Sequence, residues 1–147
     1  MPTKQALAPL RQSSMMAHLL DALAAGTDIG EYGRLTVAMV AHHFLEPDDL
    51  VALLAQDPSL DEGEARALVQ QVVTRDYSPP KRERILEWQA QQAFPICPTP
   101  EDPDACNVYQ DLAFPERVFQ HIEEYREQQF AAEHESAAGS QRGTAGG

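Results

Sequence analysis

The sequence predicts an all-α protein, a compact bundle of about five to six helices with one long, ordered, Pro/Asp-rich loop before the last of them. Three observations carry that prediction. Apolar residues recur at helical spacing in successive segments, most segments open on residues that suit a helix start, and the connections between them are mostly short, about two to six residues.

The first helix follows Ser13 or Ser14, either of which suits an N-cap. Met16, Leu19, Leu20 and Leu23 fall at i, i+3, i+4 and i+7 before Gly26 ends it. Residues 1–12 ahead of it read as a flexible arm. A second helix runs from about Glu31 to Leu45. There "RLTVAMVAHHFL" is apolar on nearly every side, as expected of the most buried helix in a bundle, although its β-branched residues also suit a strand. "EPDDLVALLAQDP" places Pro47 in a first turn, with Asp48 and Asp49 at the positive end of the helix dipole, and this short helix stops before Pro58.

Ser59 and Glu62 have the spacing of a capping box, and Ala65, Leu68, Val69, Val72 and Val73 form the apolar face of the helix that follows. In "DYSPPKRERILEWQAQQ", Ser78 can cap, Pro79 and Pro80 suit a first turn, and Ile85, Trp88 and Gln92 mark one face of a fifth helix. Pro115 opens a sixth, with Val118, Phe119, Ile122 and Tyr125 along one side. A single helical domain thus spans 13–134, with the loop 94–113 inside it, and the Gly-rich residues 135–147 read as a disordered tail.

The loop "FPICPTPEDPDACNVYQDL" is longer than structureless connections usually are. Phe94, Ile96, Val108, Tyr109, Leu112 and Phe114 give it apolar groups to dock with, and its prolines lower the entropy lost on ordering. An ordered flap lying across helices is expected. The loop also holds both cysteines, Cys97 and Cys106, whose C-x8-C spacing matches neither a C-x-x-C dithiol nor a zinc knuckle. Three readings stay open: two ordinary loop or core thiols, which is the default; a disulfide or redox-switched pair; and a zinc or iron–sulfur site. The last needs ligands from His42, His43 or His121, or from a second chain.

His42 and His43 are adjacent on the second helix, where neighbours point about 100° apart, so at most one is expected as a ligand. His18 and His121 are isolated. Glu101, Asp102, Asp104 and Asp111 supply only fragments of an EF-hand loop, so calcium is not expected.

A net charge of −12 over 147 residues disfavours direct DNA or RNA binding and anionic membranes, which are held mainly through Lys and Arg. The acid excess is concentrated. Residues 46–76 carry −6, whereas 77–93 carry +1. No apolar run approaches the roughly 18 residues of a membrane span, and the first residues lack the apolar core of a signal peptide. A reducing cytoplasm is the expected location, and a permanent disulfide is not expected there.

The motifs of serine hydrolases, nucleotide binders and zincins are missing, so neither catalytic residues nor a cofactor are assigned. The reading that remains is a small acidic accessory or adaptor protein that binds another protein, or itself as a homodimer. Trp88, Tyr109, Phe114 and Tyr125 are the candidate anchors, since aromatic side chains dominate interface energies. Lys81, Arg82 and Arg84 form either a solvated face or a small docking patch for an acidic partner. The alternatives are a metal or iron–sulfur protein built on Cys97 and Cys106, and an acidic mimic of nucleic acid that blocks a basic partner.

Overall fold

The computed structural model describes residues 2–115 and residue 118, and every regular element among them is helical. The chain divides into two units, residues 1–113 and 114–147. The first contains α1 (Lys4–Leu7), a 3-10 turn (Leu10–Gln12), α2 (Ser14–Ala24), α3 (Gly30–Ala41), α4 (Pro47–Leu54), α5 (Glu62–Arg75), α6 (Arg82–Gln89) and α7 (Val108–Asp111). Of the second, Phe114, Pro115 and Val118 are described, and Phe114 and Val118 are buried. The rest of the predicted sixth helix, with Tyr125 and His121, and the predicted tail lie outside the described residues.

The segment expected to be a flexible arm has regular structure. Its α1 is capped by the Thr3 hydroxyl, which accepts the Ala6 N–H at 3.1 Å, and Leu10 in the turn that follows is fully buried. The serine ahead of α2 caps it as expected, its Oγ accepting the Met16 N–H at 3.2 Å. The predicted stripe is the buried one. Met16, Leu19, Leu20 and Leu23 are all at most 2 % exposed, each contributing roughly 1.5 to 3 kcal/mol of transfer free energy.

α3 is buried at Val37, Ala38, Val40 and Ala41 and packs against α2, α4, α5 and α6, so it is the central helix of this unit. It ends at Ala41, four residues earlier than expected. α4 has Pro47 in its first turn with Asp48 and Asp49, and it buries Leu50, Val51, Leu53 and Leu54.

The capping box of α5 lies two residues later than the sequence suggested. Asp61 Oδ1 accepts the Glu64 N–H at 2.7 Å, and Glu64 Oε1 accepts the Asp61 N–H at 3.1 Å. Ser59 is engaged elsewhere: its hydroxyl donates to Asp28 Oδ2 at 2.7 Å and its N–H to Asp57 Oδ1 at 2.8 Å. α6 likewise begins later, with Lys81 at its N-cap, so Pro79 and Pro80 precede the helix and are buried there.

The N-terminus of α3 has no cap from its own N-cap side chain and borrows acceptors from distant segments. Asp57 Oδ2 accepts the Ile29 N–H at 3.0 Å, Asp28 Oδ1 accepts the Gly30 N–H at 2.9 Å, and Gln92 Oε1 accepts the Tyr32 N–H at 2.9 Å. Arg34 Nη1 closes the network by bonding both Asp28 and Asp57 at 3.1 Å. Carboxylates suit this place, because the positive end of the helix dipole is here. Gly30 is required by the same crowding: its φ is +82°, and a Cβ would sit 2.4 Å from Gln92 Oε1.

The Ser59 hydroxyl first, then the Gly30 N–H, hold the Asp28 carboxyl below its ordinary pKa, with Arg34 adding to them and burial opposing. A depressed carboxylate stabilises the fold above its unfolded pKa, near 4, and that contribution is lost as pH falls through the lower folded value. Stability is therefore expected to fall on acidification below about pH 4. Asp28→Asn should flatten that limb in urea unfolding followed against pH. The difference should be small, because the Asp28 side chain is 53 % exposed and solvent screens it.

Candidate functional site

The loop 94–112 is the ordered flap that its composition implied. Its start is held by α2 and by Gln92 just past α6: the His18 ring stacks on Phe94 at 5.2 Å and donates from Nε2 to the Pro95 carbonyl at 2.9 Å, and Gln92 Nε2 donates to the Phe94 carbonyl at 3.0 Å. Ile96, Cys97, Cys106 and Val108 are essentially without exposure. The Cys97 N–H donates to Gln89 Oε1 at 2.7 Å.

Cys97 and Cys106 form a disulfide with Cα atoms 5.8 Å apart. This corrects the default reading of two ordinary thiols and the expectation that a permanent disulfide would be missing. Two Cα atoms brought inside about 7 Å on a short loop have the geometry to bond. Each sulfur now satisfies the other, so thiolate ligation of zinc or an iron–sulfur cluster would first require the bond to be reduced.

Arg82 explains itself differently from a docking patch. Its guanidinium donates to the carbonyls of Pro100 at 2.8 Å, Ala105 at 3.1 Å and Asp102 at 3.2 Å, so it clamps the same loop from α6. Lys81 is half-buried at the N-cap, while exposed Arg84 pairs with Glu87 at 3.3 Å along α6. Three of the aromatic candidates, those among the described residues, have contacts within the chain or are buried. The Tyr109 hydroxyl donates to the Pro79 carbonyl, half-buried Trp88 stacks on Tyr32 with centroids 5.5 Å apart, and Phe114 is buried. Glu101, Asp102 and Asp104 are exposed along the loop.

The surface feature with docking geometry lies elsewhere. Between α4 and α5 runs an open groove of about 280 Å³, lined by the apolar Pro47, Val51, Val69 and Val73 and by Arg66, Gln70 and Thr74. Its size is below the range of small-molecule sites, about 300 to 1,000 Å³, and suits a few side chains of a docking segment. Val73 is 43 % exposed, the most exposed large hydrophobic residue among those described. Around the N-terminal end of α5, Arg66 is held by Asp48 at 3.0 Å and Glu62 at 3.9 Å, so the one cation lining the groove among the described residues is already paired.

The sequence puts Val73 on the apolar face of α5. The signal it contained was the width of the α5 apolar set. Residues 65, 68, 69, 72 and 73 cover more of the helix than one neighbour can bury, and only Ala65, Val69 and Val72 are buried.

His42 and His43 also depart from expectation. Because α3 stops at Ala41, the two residues leave the regular helical spacing, and their rings lie together with centroids 3.8 Å apart. Asp76, the residue that ends α5, joins them, with one ligand atom from each of the three residues lying within 4.8 Å of the others.

Compared with protein-family models, curated proteins and solved structures, the chain matches none.

Proposed function

We propose that the protein acts by binding another protein, and that the α4–α5 groove receives an amphipathic, basic helical segment of that partner. The observation that carries this reading is Val73, a large apolar side chain left 43 % exposed in the lining of the groove. Burying that groove removes apolar surface from water, which is the main drive for association. The charge of the occupant follows from the surroundings. Glu46 and Glu64 are exposed around α4 and α5 besides the Asp48 and Glu62 that pair with Arg66, in a stretch that carries −6, so an acidic segment would be repelled and a basic one attracted.

The test uses a synthetic amphipathic helix of leucine and lysine, titrated into the isotopically labelled protein. Amide shifts are expected along α4 and α5, and Val73→Glu is expected to weaken binding at least tenfold while changing stability by less than about 0.5 kcal/mol, as surface substitutions do. That variant separates two mechanisms, because the added carboxylate would tighten a purely Coulombic contact. Binding that strengthens in Val73→Glu and vanishes at high salt would overturn the groove and favour carboxylate mimicry of nucleic acid. A mass that doubles with concentration and is abolished by Val73→Glu would instead put a second copy in the groove.

A further inference from the structure

We infer that His42, His43 and Asp76 form a binding site for a divalent transition-metal cation of the zinc class, at the point where the C-terminal ends of α3 and α5 meet.

The local backbone builds the ligand set. At the end of α3 the His42 N–H bonds the Ala38 carbonyl at 3.2 Å and the His43 N–H bonds the Val40 carbonyl at 3.4 Å, a tightening turn that brings two consecutive imidazoles side by side. At the end of α5, Asp76 takes the left-handed conformation, φ 48°, and the Tyr77 N–H reaches back to the Val72 carbonyl at 3.3 Å. Glycine adopts that conformation at lower cost, and aspartate is among the few other residues that visit it. The turn points a carboxylate at the imidazoles, and one ligand atom from each of His42, His43 and Asp76 lies within 4.8 Å of the other two.

Two nitrogens and one oxygen are the donor set that borderline cations such as zinc accept, with a water completing four-coordination. Ligand atoms around a tetrahedral zinc lie about 3.3 Å apart, so modest closure is needed. Asp76 is the exposed member of the three, His42 and His43 being half-buried.

Two further observations are independent of the ligand count. His42 Nε2 lies 3.1 Å from the Tyr77 carbonyl, which can only accept, so Nε2 donates there, and in the neutral ring that a metal binds Nδ1 is the acceptor. A backbone carbonyl on the far nitrogen is the outer contact that orients metal-binding histidines. The carbonyl ends of α3 and α5 both end at the cluster, and the negative ends of two helix dipoles stabilise a cation between them. A bound ion would tie the two helix ends together.

The measurement is calorimetric titration of Zn²⁺ into the chelator-treated, untagged full chain with its disulfide intact. Saturation at one equivalent, a rise in Tm, and at least tenfold weaker binding in His43→Ala and Asp76→Asn are expected. Asp76→Gly guards against a variant that merely misfolds: glycine suits the left-handed position, so this variant should stay folded and gain nothing from Zn²⁺. Cys97→Ser/Cys106→Ser should bind as wild type. No saturable binding, or affinities within twofold across the His43 and Asp76 variants, would sink the site. Loss of binding confined to the cysteine variant would sink it equally, by moving the metal to the thiols.

Discussion

Replacing Asp57 with alanine is expected to cost about 3 to 5 kcal/mol of folding stability, the range for breaking a buried pair by removing one partner. Asp57 has no exposure, yet its two oxygens accept from the Ile29 N–H, the Ser59 N–H and Arg34 Nη1. Alanine removes the acceptor and leaves all three donors behind. Two are backbone N–H groups, one at the start of the central helix, and the third belongs to a guanidinium whose side chain is only 14 % exposed. Each donor left without an acceptor costs about 1 to 3 kcal/mol, and Arg34 retains only the half-exposed Asp28 to offset its charge. Asp57→Asn should cost less, since its carbonyl oxygen can still accept, but it gives up the charge that faces Arg34. Urea unfolding of the three proteins checks the order, with a Tm drop of roughly 10 to 20 °C for the alanine variant. A loss below about 1 kcal/mol would mean that water replaces the carboxylate, and the account of α3 capping would be wrong.

Asp57 also marks where sequence reasoning stops. Local signals were legible: the Met16, Leu19, Leu20 and Leu23 stripe, the Ser13 cap, and Pro47 with two acids behind it all need only neighbours along the chain. The all-helical fold followed from them. What could not be read was which polar group would be claimed by a distant partner. Ser59 had the spacing for a capping box, but Asp28 and Asp57 engage it and Asp61 takes the cap. Gln92 read as one more position on a helix face, yet it bonds Ile29, Tyr32 and Phe94 across gaps of up to 63 residues. The same limit applied to the candidate sites. His42 and His43 lie past the end of α3 at Ala41, and of the three basic residues Arg82 is drawn to three carbonyls in the loop.

The flap should prove to be fastened by two coupled staples. Cys97→Ala/Cys106→Ala is expected to lose about 2.5 to 3 kcal/mol, the chain-entropy value for opening a loop whose ends are 9 residues apart. Arg82→Ala in the disulfide-bonded protein is expected to lose about 1.5 to 3 kcal/mol, the scale of hydrogen bonds to a charged donor. The carbonyls that Arg82 binds, at Pro100, Asp102 and Ala105, all lie between the two cysteines. Opening the disulfide lets that segment wander, so Arg82 must then spend part of its bonding energy on ordering it. The two losses should therefore not add. A double-mutant cycle should give a coupling of about 0.5 kcal/mol or more, with Arg82→Ala costing less once the cysteines are gone. Additivity within about 0.3 kcal/mol would show that the turns and buried residues of the loop hold its shape without the covalent bond. The outcome bears on how the flap responds to reducing conditions. With coupling, reduction of one buried bond loosens the segment that Arg82 grips; without it, the segment keeps its place on α6 through Arg82, and the disulfide adds stability without setting shape.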